Sequence, residues 1–278
     1  MTVGGWFNSP MNDETLTNVR EWLERGGYVL EMEVARRLMR RTNLVSQGEV
    51  YTDPVTGSER EIDVTAVFLR ADSSPGEDKG TGRLHGLRLV IECKNTTAPW
   101  IGFVGHGGGN GGWIPSSSMD PDSCDVCNHM TELPWEMALR CPHVYSVTEK
   151  RAKNTLDHAH AGTKQVTSAI LAEYGGHDEQ IHERGHDDSQ AIPCLAVPVV
   201  VTTSPLILCE LDAKGQVNLT PTGRMFVGVA GYQLPDEATE TEVWLVNISD
   251  FEDFLDDILQ AIADPPQSEA EGALQARA

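Results

Sequence analysis

Two stretches of the chain alternate apolar and polar residues with the period of two that a pleated strand imposes. From Arg60 to Leu69, Ile62, Val64, Ala66 and Phe68 line one face, while Asp63, Thr65 and Val67 line the other. From Gly86 to Trp100, Leu87, Leu89 and Ile91 alternate with Arg88, Val90 and Glu92, the pattern of a strand packed unequally on both faces. Glu92 and Lys94 therefore share one face at the end of this strand, and Cys93 takes the other. Asp53-Pro54-Val55-Thr56-Gly57 reads as a turn ahead of the first strand, and the polar, Gly-rich stretch 71–86 as a long hairpin connection between the two. Ile192 to Thr202 is a near-continuous apolar run and predicts a central strand buried on both sides. Leu206–Leu211 and Glu242–Ile248 predict two more strands.

A period near 3.6 marks the helices. Asn12 is placed to cap a helix over Asp13–Arg25, with Leu16, Val19, Trp22 and Leu23 on one stripe and Gly26-Gly27 as its stop. A second helix, about Leu30–Arg41, carries Val34, Ala35, Leu38 and Met39 on its apolar face, with Glu31 near the middle of that face. Glu33 falls on the opposite face, spaced to pair with arginines three and four residues on. A third helix lies within Val144–Tyr174, with Val166, Ala169, Ile170 and Tyr174 near its end and Gly175-Gly176 as its stop. A fourth runs over Asp250–Ala263, capped by Ser249 or Asp250, with Phe251, Phe254, Leu255, Ile258, Leu259 and Ile262 facing inward. Ile101 to Pro121 is Gly-rich and reads as a flexible loop; no Gly-Lys-Ser/Thr follows, so it is not a P-loop. The spacing predicts one α/β domain over residues 1–263, with a mixed central sheet flanked by helices. A Gly-rich and Cys-containing insertion, with a helix at Glu132–Leu139, occupies about 101–143, and 264–278 form a disordered tail.

A carboxylate and an ammonium side by side at the end of an apolar strand break the local pattern, and such breaks tend to mark sites. The plain alternative is a solvated salt bridge on the rim of a sheet. If the two strands pair, Asp63, Glu92 and Lys94 converge, and two carboxylates form a hard oxygen site for a divalent cation. Glu31, centred on an apolar stripe, is costly there unless it is paired, protonated or facing a cation. Asp63, then Glu92-x-Lys94 on the following strand, with Glu31 on an upstream helix, resembles the PD-(D/E)xK nuclease superfamily, in particular restriction-endonuclease-like or Mrr-like members. The resemblance covers roughly residues 27–100; Ile62 stands where the family usually has a proline.

The resemblance implies a restriction-endonuclease-like core and Mg²⁺-dependent hydrolysis of phosphodiester bonds, with Mn²⁺ able to substitute and DNA as the expected substrate. It implies that Asp63 and Glu92 ligate the metal together with the backbone carbonyl of Cys93. Lys94 would position or activate water, and Glu31 would hold a second ion or a water. Related families sometimes place a site Gln on the helix after this strand, which here would be Gln165. Restriction, phage defence or repair would be the setting. The alternative is a catalytically silent binding or assembly module of the same fold.

Composition changes this picture in one respect. With 42 acidic and 21 basic residues the net charge is −21, which opposes association with a polyanion. The acidic residues cluster away from the proposed site, at 236–242 and 250–257, whereas Arg36, Arg37, Arg40 and Arg41 gather on the second helix. No apolar run is long enough to span a bilayer, and the N-terminal MTVGGWFNSP has no basic or apolar leader pattern, so a cytoplasmic protein is expected. Six scattered cysteines suggest reduced thiols. Cys124, Cys127, Cys141 and His143 could form a structural zinc site, the alternative being reduced cysteines in the insertion. His158, His160, His177, His182 and His186 read as solvated loop residues. No helix-turn-helix is legible, so targeting would fall to homodimerisation or to a separate partner.

Overall fold

A computed structural model describes residues 12–71, 84–105, 114–115, 139–147, 157–184, 194–229, 233–234, 237–238 and 241–263. The predicted helix at Glu132–Leu139, apart from Leu139, the 72–83 connection, Cys124, Cys127, His186 and the 264–278 tail lie outside these residues.

The first helix, α1 (Asp13–Gly26), starts where Asn12 accepts the Thr15 N–H at 2.8 Å and ends at Gly27, whose φ of 85° suits glycine. The second, α2 (Tyr28–Leu38), begins and ends earlier than the expected Leu30–Arg41. It buries Leu30, Val34, Ala35 and Leu38, while Met39, expected on that face, is exposed.

Strands β1 (Val45–Thr52), β2 (Glu59–Ala71) and β3 (Leu84–Lys94) follow, each antiparallel to the one before. The sequence reading had no β1. The turn between β1 and β2 is the expected one: Asp53 accepts the N–H groups of Val55 and Thr56. Next come β4 (Trp100–Phe103), β5 (Ile114–Pro115), β6 (Arg140–Cys141) and β7 (His143–Ser146). Ile101–Phe103, expected in the Gly-rich loop, thus lie in a strand.

Helix α3 (His158–Arg184) runs through Gly175-Gly176, where a stop was expected. Glycine weakens a helix but does not forbid it. His158, His160, His177 and His182 consequently sit on a helix and not in loops. Six strands follow before the last one: β8 (Cys194–Thr202), β9 (Leu206–Leu211), β10 (Val217–Thr222), β11 (Arg224–Val229) and the short pair β12 (Gln233–Leu234) and β13 (Glu237–Ala238). β14 (Thr241–Asn247) and α4 (Phe251–Ala263) complete the fold.

The main sheet has the order β1-β2-β3-β8-β14-β11-β6, with β5 also paired to β8. It is mixed: β3, β8 and β14 are mutually parallel, and the flanking pairs β1–β2–β3 and β14–β11 are antiparallel. Parallel strands in the centre of a sheet are buried on both faces, and the apolar run of β8 meets that requirement. A smaller sheet has the order β10-β9-β4-β7.

Each face of the main sheet has its own core. On one, α2 and α4 pack Leu30, Val34, Phe251, Phe254 and Leu255 against Val64, Ala66, Leu89, Ile91, Val199 and Trp244. On the other, α3 and the inner face of the small sheet pack Val166, Ile170, Trp100 and Leu206 against Val90, Val200 and Leu245. Among the described residues no helix is long and apolar enough to cross a membrane.

One face assignment is corrected. Val64 and Ala66 belong to the first core, but Ile62 is buried in the second. Strict alternation in β2 therefore breaks at Asp63, beside Gly48 of β1, whose φ is 68°. A strand that kinks there re-aims one side chain, as bulges near sites do.

Candidate functional site

The kink at Asp63 builds the site. The β2–β3 ladder ends at the Val64–Ile91 pair. Two residues beyond Ile91, the Cys93 N–H lies past the end of that ladder and donates instead to Asp63 Oδ2 at 2.6 Å. The Asp63 carboxylate is thereby fixed against the end of β3, where Glu92 and Lys94 emerge on the α3 side as the alternation requires. Cys93 points its thiol into the first core, and burial pushes that thiol well above its ordinary pKa.

Glu92 is only 2 % exposed. Its Oε1 pairs with the Lys94 ammonium, and its Oε2 is buried with no hydrogen-bond partner. Glu31 comes from the first turn of α2, on the other side of the sheet, and lies close enough to repel Glu92 and Asp63. Burial, then the charges of Asp63 and Glu61, push the Glu31 carboxyl up to about 7 against the attraction of Lys94. Burial, then Asp63, push Glu92 up to about 8. Asp63 is raised by burial, opposed by the Cys93 N–H and Lys94. One lysine thus faces three carboxylates, with Glu61 adding repulsion on Glu31 and Asp63, and burial acts on all three in the same direction.

The sequence reading missed three residues. Glu61 adds the fourth carboxylate; its position two residues before Asp63 could have signalled a shared face. Tyr51 of β1 donates to the Gln165 carbonyl at 3.2 Å, latching α3 beside the site. The Gln165 side-chain amide donates to the Glu61 backbone carbonyl at 3.2 Å.

Gly162 of α3 has no sequence signal. A Cβ there would stand 3.3 Å from both Cγ and Cε of Lys94 and 3.2 Å from Val200 Cγ1, so the missing side chain is what lets the Lys94 stem run between helix and sheet. Gly162→Leu is expected to lower stability by about 1–3 kcal/mol through overpacking, read as a fall in the urea midpoint at unchanged m-value. An unchanged midpoint would mean that α3 does not press on Lys94.

Other expectations fare differently. Glu33 is the surface pairing residue anticipated, bonded to Arg36 and Arg37. Arg40 and Arg41 pair with Glu252 and Asp256 of α4. The arginine cluster is therefore held by acids of the same chain and is not a free basic patch. Of the zinc grouping only Cys141 and His143 lie among the described residues. Cys141 is fully buried in the second core, its thiol pushed up to about 12 by burial, whereas His143 is exposed on the outer side of the small sheet. β6 and β7 belong to different sheets, which separates the two.

No family model, curated protein or solved structure matches this chain. Among the described residues no three His, Cys, Asp or Glu side chains are spaced to hold a metal ion as they stand. The carboxylates are engaged otherwise: Asp63 with the Cys93 N–H, Glu92 with Lys94. The donor chemistry nonetheless fits a hard cation, because the oxygens are carboxylate and Glu92 Oε2 is buried without a partner.

Proposed function

We propose that the chain is a metal-dependent phosphodiesterase acting on nucleic acid, an endonuclease with DNA as its expected substrate, on a restriction-endonuclease-like core. The observation that carries this reading is the buried Glu92 carboxylate, one oxygen unpartnered, set between Asp63 and Lys94 at the end of a central strand. Buried ionisable groups with mutually raised pKa values are the usual mark of chemistry. Asp63 and Glu92 would hold Mg²⁺ or Mn²⁺, with the Cys93 carbonyl as a further ligand and Glu31 on a second ion or a water. A bound divalent cation supplies Lewis-acid polarisation of a phosphoryl oxygen and offsets the charge of the site.

The chain's own groups do the rest. Lys94, held by Glu92, presents an ammonium that orients an attacking water and stabilises charge on the phosphate. Glu31, with its pKa near 7, can hold or release a proton at neutral pH, which suits general acid–base work. Restriction, defence or repair remains the proposed setting on analogy of fold alone.

The test is incubation of supercoiled, linear and single-stranded DNA with Mg²⁺, Mn²⁺ or EDTA. Metal-dependent cutting is expected. No cutting of any substrate, together with no divalent-ion binding by calorimetry, would sink the reading. It would leave the binding or assembly module, which the net charge of −21 and the internally paired arginines favour.

A further inference from the structure

The small sheet buries one face in the second core and leaves an apolar face open on the other side. β10 alternates cleanly as Val217-Asn218-Leu219-Thr220-Pro221-Thr222. Its register against β9 sets Asn218 opposite Glu210, Thr220 opposite Leu208 and Thr222 opposite Leu206. Leu206 and Leu208 are buried in the second core, so the polar residues of β10 share their side of the sheet, although this edge strand is itself exposed along that side. Val217, Leu219 and Pro221 then take the outer side, opposite Leu211, Cys209 and Ile207.

The same outer face continues across the other two strands. Ile101 and Phe103 of β4 lie beside Ile207 and Cys209, and Tyr145 and His143 of β7 lie beside Ile101 and Phe103. In a chain of net charge −21, this four-stranded face carries no Asp, Glu, Lys or Arg. Its side chains are open to solvent: Val217 is 63 % exposed, Leu211 62 %, Tyr145 54 %, Leu219 53 % and Phe103 43 %. Turn geometry at Gly215, with φ of 76°, fixes the hairpin register. A slip by one residue would turn the apolar set inward, and the register excludes that.

We infer that this face is the homodimer interface of the chain, packed against the same face of a second copy. Three observations select a second copy as occupant. A flat sheet face packs on its equal at about 10 Å, strands roughly aligned, with side chains from both sides interdigitating. The face is divided into an aliphatic half on β9–β10 and an aromatic half on β4–β7, where Phe103 and Tyr145 meet edge to face at 6.0 Å. A two-fold axis through its centre sets each half on its complement, as an isologous interface requires. Five large apolar side chains, each 43–63 % exposed, stand together on this one face, the kind of contiguous apolar area that a stable interface of about 800 Å² per partner is built from. Charge supports the choice: two copies of so acidic a chain repel each other, and an uncharged face lets them meet with no carboxylates opposed. A nucleic acid or anionic membrane finds no cation on this face. The inference does not rest on the nuclease reading.

The experiment is sedimentation velocity of the full chain from 1 to 100 µM in low and high salt, for the native protein and for Leu219→Glu, Tyr145→Glu and Asn218→Glu. The native chain is expected to sediment with twice the chain mass, and to do so at lower concentration in high salt, because salt screens the repulsion. Leu219→Glu and Tyr145→Glu, on opposite edges of the face, should each weaken the dimer at least about 100-fold while leaving circular dichroism unchanged; two buried like charges per interface are introduced. Asn218→Glu, on the same strand but facing the core side, should leave the mass as in the native chain. A native chain that is monomeric at 100 µM would overturn the inference, as it would if the face were covered by the chain's own insertion or by a different protein. A dimer that survives both outward substitutions with the fold intact would overturn it too, placing the interface elsewhere.

Discussion

Lys94→Ala is expected to lower metal-dependent cleavage by about 10²–10³-fold, the size of effect seen when one donor to developing charge is removed. Lys94 stands in two roles at once. Its ammonium pairs with Glu92 Oε1 and opposes the mutual repulsion of Glu92, Asp63 and Glu31. Its loss therefore pushes all three carboxyls further up, and the acidic limb of the pH–rate profile should move to higher pH along with the fall in rate. Asp63→Asn separates charge from architecture: an amide oxygen can still accept the Cys93 N–H that Asp63 Oδ2 accepts at 2.6 Å. Folding should be retained and cleavage lost by at least about 10²-fold. Cutting that survives both substitutions would place the chemistry elsewhere in the chain or in a contaminant.

Glu92→Gln should stabilise the fold, and increasingly so as the pH rises. In the unfolded chain this carboxyl ionises near its ordinary 4.5; in the folded chain burial and Asp63 hold it up to about 8. Between those values the folded state keeps a proton that the unfolded state has released, so native stability falls as pH rises from about 4.5 to about 8 and levels off above. Gln removes that slope and still offers an oxygen to Lys94. The expected gap between variant and native chain is near zero at pH 4.5 and up to about 4 kcal/mol at pH 8, measured by urea denaturation across the range. Mg²⁺ should narrow the gap at pH 8 by favouring the ionised carboxylate of the native protein. Parallel pH profiles for the two chains would mean that Glu92 is not the strained group.

Glu92, Lys94 and Cys93 were assigned to their faces by alternation alone, and the structure keeps them there because β3 is a regular strand paired on both sides. Asp63 was legible as a residue but not as a position. Its approach depends on a kink that sends Ile62 to the opposite core from Val64, and nothing in the local pattern of β2 announces that. Glu31 was visible as a carboxylate out of place on an apolar stripe, whereas Gly162 was invisible, since its role is to leave room for a side chain from a strand 68 residues earlier. β1 went unread because its half-buried residues give no clean period.

The sequence by itself determined which residues share a face: the alternation of β2 and β3 away from Asp63, the continuous apolar run of β8, and the inward stripe of α4. Such patterns are local, being set by the pleat and by the helical turn. Only the tertiary structure decided which of those faces would be covered and by what. It placed Arg40 and Arg41 of the α2 segment against acids of α4, one Cys–His pair on separate sheets, three carboxylates around one lysine, and the apolar side of β10 toward solvent. Each of these turns on partners far away in the chain, and the energy of a buried charge or an exposed apolar face is set by what stands opposite it.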